Sequence, residues 1–354
     1  MTLAIATTFL LGGLAFWWGI RLGRVFLRRG ATAHDLFRGN TPAALAFLGL
    51  YFLVLVLALY VPQWQWLPLE WRVYGMHVTW TVMRVVLLGV CGVAFVITWH
   101  TARLQVVAVV LLGLLGMGGF TAAEAHFLAP IYPSLRDNLR PNGVYQQTSA
   151  SSCAPAAMAT VLRLWTIDAP ESKVAKLAGT SLLGTSMPQL IVAARALGMD
   201  AVEFTGATWE QMQQVNRPAV LATWLFGSGG RTPHAIALLS LSQDAATVAD
   251  PAWGRIYEVP RQQFERIWRQ EYVPLFRPDE VLLPPTKVRQ YLQKLGYLPV
   301  SQQPPDRPQI TAAIRHLQRA NNLEITGQLD KKTALFLVGP FLTQVPTLNS
   351  RREP

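Results

Sequence analysis

The stretch YQQTSASSCAPAAMATVL, residues 145–162, decides how this chain is read. Its second half, continued as SSCAPAAMATVLRLW, has the makings of a helix. Ser151 or Ser152 supplies the N-cap oxygen, and Pro155 falls in the first turn, where its missing N–H is no loss. Cys153 then stands at the helix N-terminus, where unpaired amides and the helix dipole favour an anion and lower a thiol's pKa. A cysteine on a helix also serves as a small core residue, so the surroundings must decide. Gln147 lies six residues upstream, with Gln146 beside it.

Downstream the pattern alternates short helices with short strands. GTSMPQLIVAARALG reads as a helix begun by Thr185 or Ser186 and stopped by Gly198, and TWEQMQQV carries a capping box in Thr208 and Gln211. Strands follow in AVLATWLF, HAIALLSLS, TVADP and RIYEV, with the glycine-rich loop GSGGRTP after the first and a turn at QDA. His234 opens one strand and Asp250 closes the next, so a hairpin between them would bring the two together as a base and its orienting group.

Each of these residues has a chemical task. A Cys153 thiolate attacks a carbonyl, and His234 holds a proton for the leaving amine. Asp250 fixes the imidazole tautomer, and the Gln147 side-chain amide donates to the developing oxyanion. Neither a metal nor a cofactor is needed.

The first third of the chain is different in kind. Half of all residues are hydrophobic, at 51%, and the apolar ones concentrate before about residue 125. About 20 uncharged residues cross a bilayer as a helix, and four such runs occur, at about 3–20, 41–61, 80–99 and 104–123. Arg84 lies near the start of the third and is the one charge within the four. Tryptophans crowd the ends (Trp17, Trp18, Trp64, Trp66, Trp71, Trp80, Trp99), as an interfacial belt requires. Arg21, Arg24, Arg28, Arg29 and Arg38 follow the first run, which places that loop in the cytoplasm and, after four crossings, everything past residue 124 outside.

The net charge of +11 is partly this topological arginine. No basic patch interleaved with aromatics suggests nucleic acid. The two cysteines cannot form a disulfide framework, since Cys91 lies inside an apolar run and Cys153 in the polar half.

The last seventy residues begin with a proline-flanked linker, RPDEVLLPPT. KVRQYLQKLGYL places Val288, Leu292 and Leu295 on one helix face with Gly296 as stop. QITAAIRHLQRAN does the same with Ile310, Ile314 and Leu317, and a third short helix is capped by Asp330.

The residues 144–275 resemble the bacteriocin-leader-processing cysteine peptidases, which cut after double-glycine leaders, and their papain-like relatives. The resemblance rests on Gln147, Cys153, His234 and Asp250–Pro251 in that order, and on LAGTSLLGTSMPQLIVAARALGMDAVEF. Ser152 and Ala154 stand where that family has Asp and Gly around the cysteine, and no phosphate-cradling glycine loop of a transporter ATPase is found. FERIWRQEYVPLFRP (264–278) resembles the end of the corresponding domain of general secretion pathway protein A. VRQYLQKLGYL and IRHLQRANNLEITGQLDKKT resemble the peptidoglycan-binding three-helix module.

The expected architecture is therefore a four-helix membrane region over 1–125, an α+β papain-like domain over 126–278 and a small all-α module over 285–342. The expected protein is a multi-pass protein of the inner (cytoplasmic) membrane with its later domains on the extracytoplasmic side. It would cut a peptide or protein substrate, held to the lipid bilayer by its helices and to peptidoglycan by its last module. Two other readings are a catalytically dead papain-like domain anchoring an envelope assembly, and a hydrolase of peptidoglycan stem peptides.

Overall fold

The computed structural model describes residues 2–34, 41–60, 64, 66–227, 230–300 and 305–349. The chain forms two compact units, Met1–Ala129 and Pro130–Pro354.

The first unit is helical: α1 (Thr2–Arg28), α2 (Thr41–Tyr60), α3 (Leu69–Val73), α4 (Gly75–Thr101) and α5 (Gln105–Phe127). The segments Ala6–Arg28, Gly75–Thr101 and Gln105–Phe127 are long and apolar enough to cross a bilayer. The second expected run forms α2, several of whose side chains lie outside the described residues. The helices outrun the expected spans, because hydropathy marks where apolar residues stop, whereas backbone hydrogen bonding carries the helix through Arg21, Arg24 and Arg28.

Helices α1 and α4 are packed backbone to backbone. A Cβ added at Gly19 would strike the Gly89 carbonyl, and one at Gly92 would strike the carbonyl of Phe16. Phe26, Val93, Val96 and Ile97 close the interface. Arg84 is not the solitary charge expected. Helix α5 continues past residue 123 to Phe127, and Glu124 in that last turn forms an ion pair with Arg84 and accepts from or pairs with His77 Nδ1 at 2.9 Å.

The second unit contains β1 (Asn138–Leu139), β2 (Tyr145–Gln146), α6 (Cys153–Leu164), α7 (Glu171–Ala178), α8 (Met187–Ala196), β3 (Asp200–Ala201), α9 (Trp209–Val215), β4 (Ala219–Gly227), β5 (Gly230–Leu241), β6 (Ala245–Asp250), β7 (Arg255–Pro260), α10 (Arg261–Ile267), β8 (Trp268–Phe276), α11 (Pro285–Lys294), α12 (Arg307–Ala320) and α13 (Lys331–Val338). Six strands make one antiparallel sheet in the order β3-β8-β4-β5-β6-β7, and β1 pairs with β2 separately. The architecture is the expected one: apolar helices, then an α+β domain, then a small helical module.

Local signals explain the helix starts. Ser186 and Gln189 form a capping box for α8, Thr208 and Gln211 form another for α9, and Asp330 accepts from the Thr333 amide at α13. Gly198 and Gly296 adopt positive φ just past their helices, a conformation that costs glycine little. One strand differs from expectation. His234 does not open it, because β5 begins at Gly230 and pairs residue by residue with β4 up to Gly227↔Gly230. Thr232 and Arg231 extend the ladder through what the glycines and Pro233 mark as loop, since Pro233 lacks only the one donor.

The apparent linker is folded too. Pro278–Val281 is a 3₁₀ turn in which Glu280 pairs with the fully buried Arg217, and Val281 joins the core. Beyond it α11, α12 and α13 share a small core of Val288, Leu292, Ala313, Ile314, Leu317 and Leu337. The other side of α13 enters the core of the α+β domain, where Phe336 packs edge-on against Phe204 at 5.8 Å and Ala334 and Leu335 join Trp209, Phe264 and Trp268. Gln211 Nε2 donates to the Asn321 carbonyl at 2.6 Å, and the Leu348 N–H donates to Asn216 Oδ1 at 2.9 Å.

Candidate active site

Helix α6 buries nearly every residue from Ala154 to Leu162, so its position against β4 and β5 is fixed by packing. Its first residue is Cys153. Ser152 occupies the N-cap, but its hydroxyl turns backwards, donating to the Ser149 carbonyl at 2.9 Å and accepting from the Ser149 amide at 3.1 Å. The cap that the sequence suggests is therefore spent on the preceding loop. The first-turn amides of Cys153 and Ala154 lack intrahelical partners, as at any helix start.

The β5–β6 hairpin brings His234 and Asp250 together. Asp250, an acceptor when ionised, takes the His234 Nε2–H at 2.8 Å and also the Ala252 N–H at 2.8 Å. That fixes the imidazole and leaves Nδ1 free of Asp250, and Cys153 at the head of α6 interacts with the same ring. Burial alone would push the imidazolium pKa down. The hydrogen bonds to Asp250 and to Cys153, with the sulfur's charge, outweigh it and raise His234 to about 9. The ring therefore holds its proton more tightly than a free imidazole.

Gln147 reaches the same place from β2. Its backbone N–H donates to the Pro251 carbonyl at 2.9 Å, beside Asp250, and its Nε2 donates to Ser149 at 2.9 Å. A side-chain amide has two N–H bonds, so one remains for another acceptor. Gln146 is used elsewhere, holding the Ala252 carbonyl at 3.3 Å and Asn138 at 3.2 Å. All four residues singled out in the sequence thus converge. Unnoticed there were Thr148 and Glu171, joined by two hydrogen bonds next to Gln147, whose link spans 23 residues and leaves no local motif. Among the described residues no cluster of His, Cys, Asp and Glu could hold a metal ion.

Residues 142–280 match the peptidase C39 family, and residues 285–337 match a peptidoglycan binding domain. An uncharacterized protein of Methanothermobacter thermautotrophicus is 36% identical over 135 residues, which are 38% of this chain and 89% of that protein. The chain belongs to the peptidase C39 family. A double glycine motif protease from an AMS/PCAT transporter, solved with the leader peptide, is 22% identical, covering 40% of this chain and 94% of that one with a TM-score of 0.34. A periplasmic domain of the EpsAB fusion protein of the Vibrio vulnificus type II secretion system is 15% identical, covering 56% and 84% with a TM-score of 0.30. This C39 chain is a cysteine-type peptidase that carries a peptidoglycan-binding domain and helices apolar enough for a membrane.

Proposed function

We propose that Cys153 is the nucleophile of this peptidase, His234 its proton carrier, Asp250 the group that orients His234, and Gln147 an oxyanion donor. The observation that carries this reading is the His234 imidazole held by Asp250 at 2.8 Å and interacting with Cys153 at the start of α6. In that arrangement the Cys153 sulfur attacks the substrate carbonyl carbon, and the π electrons move onto oxygen. The charge is met by the Gln147 amide and the free first-turn amides of α6. Collapse breaks the C–N bond as His234 Nδ1 delivers its proton to the amine. Water then attacks the thioester, giving a proton back to His234 and releasing the acid and the thiolate.

The same proposal places the work at a cell envelope. Counting α2 with the three long apolar helices as a fourth crossing, and taking the arginines at and after the end of α1 as cytoplasmic, the peptidoglycan-binding domain lies on the outer side with the peptidase. The substrate is a peptide or protein that reaches that surface.

The test uses the full chain in nanodiscs with a mixture of synthetic peptides, cleavage being read by mass spectrometry. Cleavage by the parent and none by Cys153→Ala supports the assignment. Equal cleavage by both variants contradicts it. Reaction of engineered loop cysteines with an impermeant thiol reagent in intact cells tests the orientation, and labelling of 130–354 from the cytoplasmic side alone would overturn it.

A further inference from the structure

Glu171 takes no part in those bond changes, yet it is wholly buried. Among the described residues no cation pairs with it. Its carboxylate is spent on a single residue: Oε1 accepts the Thr148 N–H at 2.9 Å and Oε2 accepts the Thr148 hydroxyl at 2.8 Å. A buried carboxylate is tolerated only when its lone pairs are bonded. Glu171 is also the first residue of α7, where the helix dipole favours its charge. That helix start is itself fixed from behind, because Asp137 accepts the Ser172 N–H at 2.7 Å and the Ser172 hydroxyl at 2.6 Å.

Thr148 is the residue after Gln147, so the peptides on both sides of Gln147 are pinned. The Gln147 N–H is held by Pro251, next to the orienting Asp250, and the Thr148 N–H is held by Glu171. Two restraints on adjacent amides fix the backbone at Gln147 and with it the direction of the side chain. We propose that Glu171 is a positioning residue that aims the Gln147 amide at the developing oxyanion, linking α7 to the chemistry at Cys153. The inference rests on the roles proposed above for Gln147 and Cys153.

Two reactions of the full chain separate it from a general structural role. Alkylation of Cys153 by iodoacetamide forms a C–S bond and expels iodide, without an oxyanion, so it reads the Cys153–His234 pair alone. Turnover of a p-nitrophenyl ester passes through an oxyanion and reads Gln147 as well. Loss of one oxyanion donor costs about 10²–10³ in kcat, so Gln147→Ala should fall by that much and Glu171→Ala by about tenfold or more, in kcat and not in KM. The double variant should fall no further than Gln147→Ala, because the two act as one unit. Glu171→Gln should restore most of the rate, since its amide oxygen still accepts from the Thr148 N–H and its NH₂ reaches the hydroxyl. Alkylation should be unchanged in all four.

An unchanged ester rate in Glu171→Ala, an additive double variant, or a parallel loss of alkylation would overturn the positioning role. The underlying reading fails separately, if Gln147→Ala itself keeps the full ester rate while Cys153→Ala has none. A parent that alkylates but turns over no ester contradicts both.

Discussion

The two units of this chain are held together by opposite means. In the first, helices α1 and α4 meet where Gly19 and Gly92 leave no room for a side chain, so backbone touches backbone. In the second, Trp209, Phe264, Trp268, Tyr272 and Phe336 fill a shared interior, and hydrogen bonds to single carbonyls fix the loops. The difference fits the surroundings proposed for each unit. Lipid is as apolar as leucine, so burying leucine there gains little and close approach through glycine gains contact. Water rewards burial of large aromatic surface. The ionic groups follow the same division: Arg84 and Glu124 neutralise each other between helices, whereas His234 and Asp250 keep an unequal pair poised beside a sulfur.

The sharpest way to break the second unit is Phe336→Ala. A buried phenylalanine cut to alanine costs about 3–5 kcal/mol. Because Phe336 belongs to the core that also holds Phe204 and Trp209, the peptidase and the last module should unfold in one transition at a lower denaturant midpoint. Two separate transitions, with the peptidase midpoint unmoved, would show that the module is an independent attachment.

In the first unit the equivalent change is an addition. Gly92→Leu drives a side chain into the Phe16 carbonyl and should cost about 1–3 kcal/mol of helix pairing. Cross-linking of a Gly12→Cys/Leu88→Cys pair in nanodiscs should form readily with Gly92 and drop sharply with leucine, while ester turnover stays the same. Undiminished cross-linking would mean that the glycine contact does not hold the pair.

Asp250→Asn probes the site rather than the packing. It removes the charge that helps hold His234 at about 9 against the downward push of burial, leaving only a neutral acceptor, so the imidazolium should lose its proton at lower pH. The alkaline limb of the pH–turnover profile should move down from about 9, each unit being about 1.4 kcal/mol, with little change in unfolding midpoint. An unmoved limb would place the source of the shift elsewhere. The smallest effect is expected at Lys331→Met. Its bond to Asp200 joins the module to β3, but the lysine is half exposed, and such pairs contribute about 0–1 kcal/mol.

Much of this was legible beforehand because it is written locally. The capping boxes at Thr208 and Ser186, the glycine stops at 198 and 296, and the Asp330 cap involve neighbours within four residues, where sequence and structure coincide. The proximity of His234 and Asp250 was legible as well, since a hairpin converts strand order into proximity. What escaped notice is nonlocal. Glu124 lies one residue beyond the apolar run that ends at 123, and its tie to Arg84 spans 40 residues. Glu171 reaches back to Thr148, and Glu280 turns a proline-rich linker into a buried ion pair with Arg217. Gly230 to Pro233 read as loop because glycine and proline usually break strands, yet a long two-stranded ladder needs only one neighbour to satisfy it.

The most direct test of the paired nucleophile is the rate at which iodoacetamide labels Cys153 in the full chain across pH, with the site assigned by peptide mass so that Cys91 is counted separately. A thiol paired with His234 should react fast, and His234→Ala should abolish that reactivity. Slow labelling that follows an ordinary thiol titration, the same with and without His234, would contradict the account.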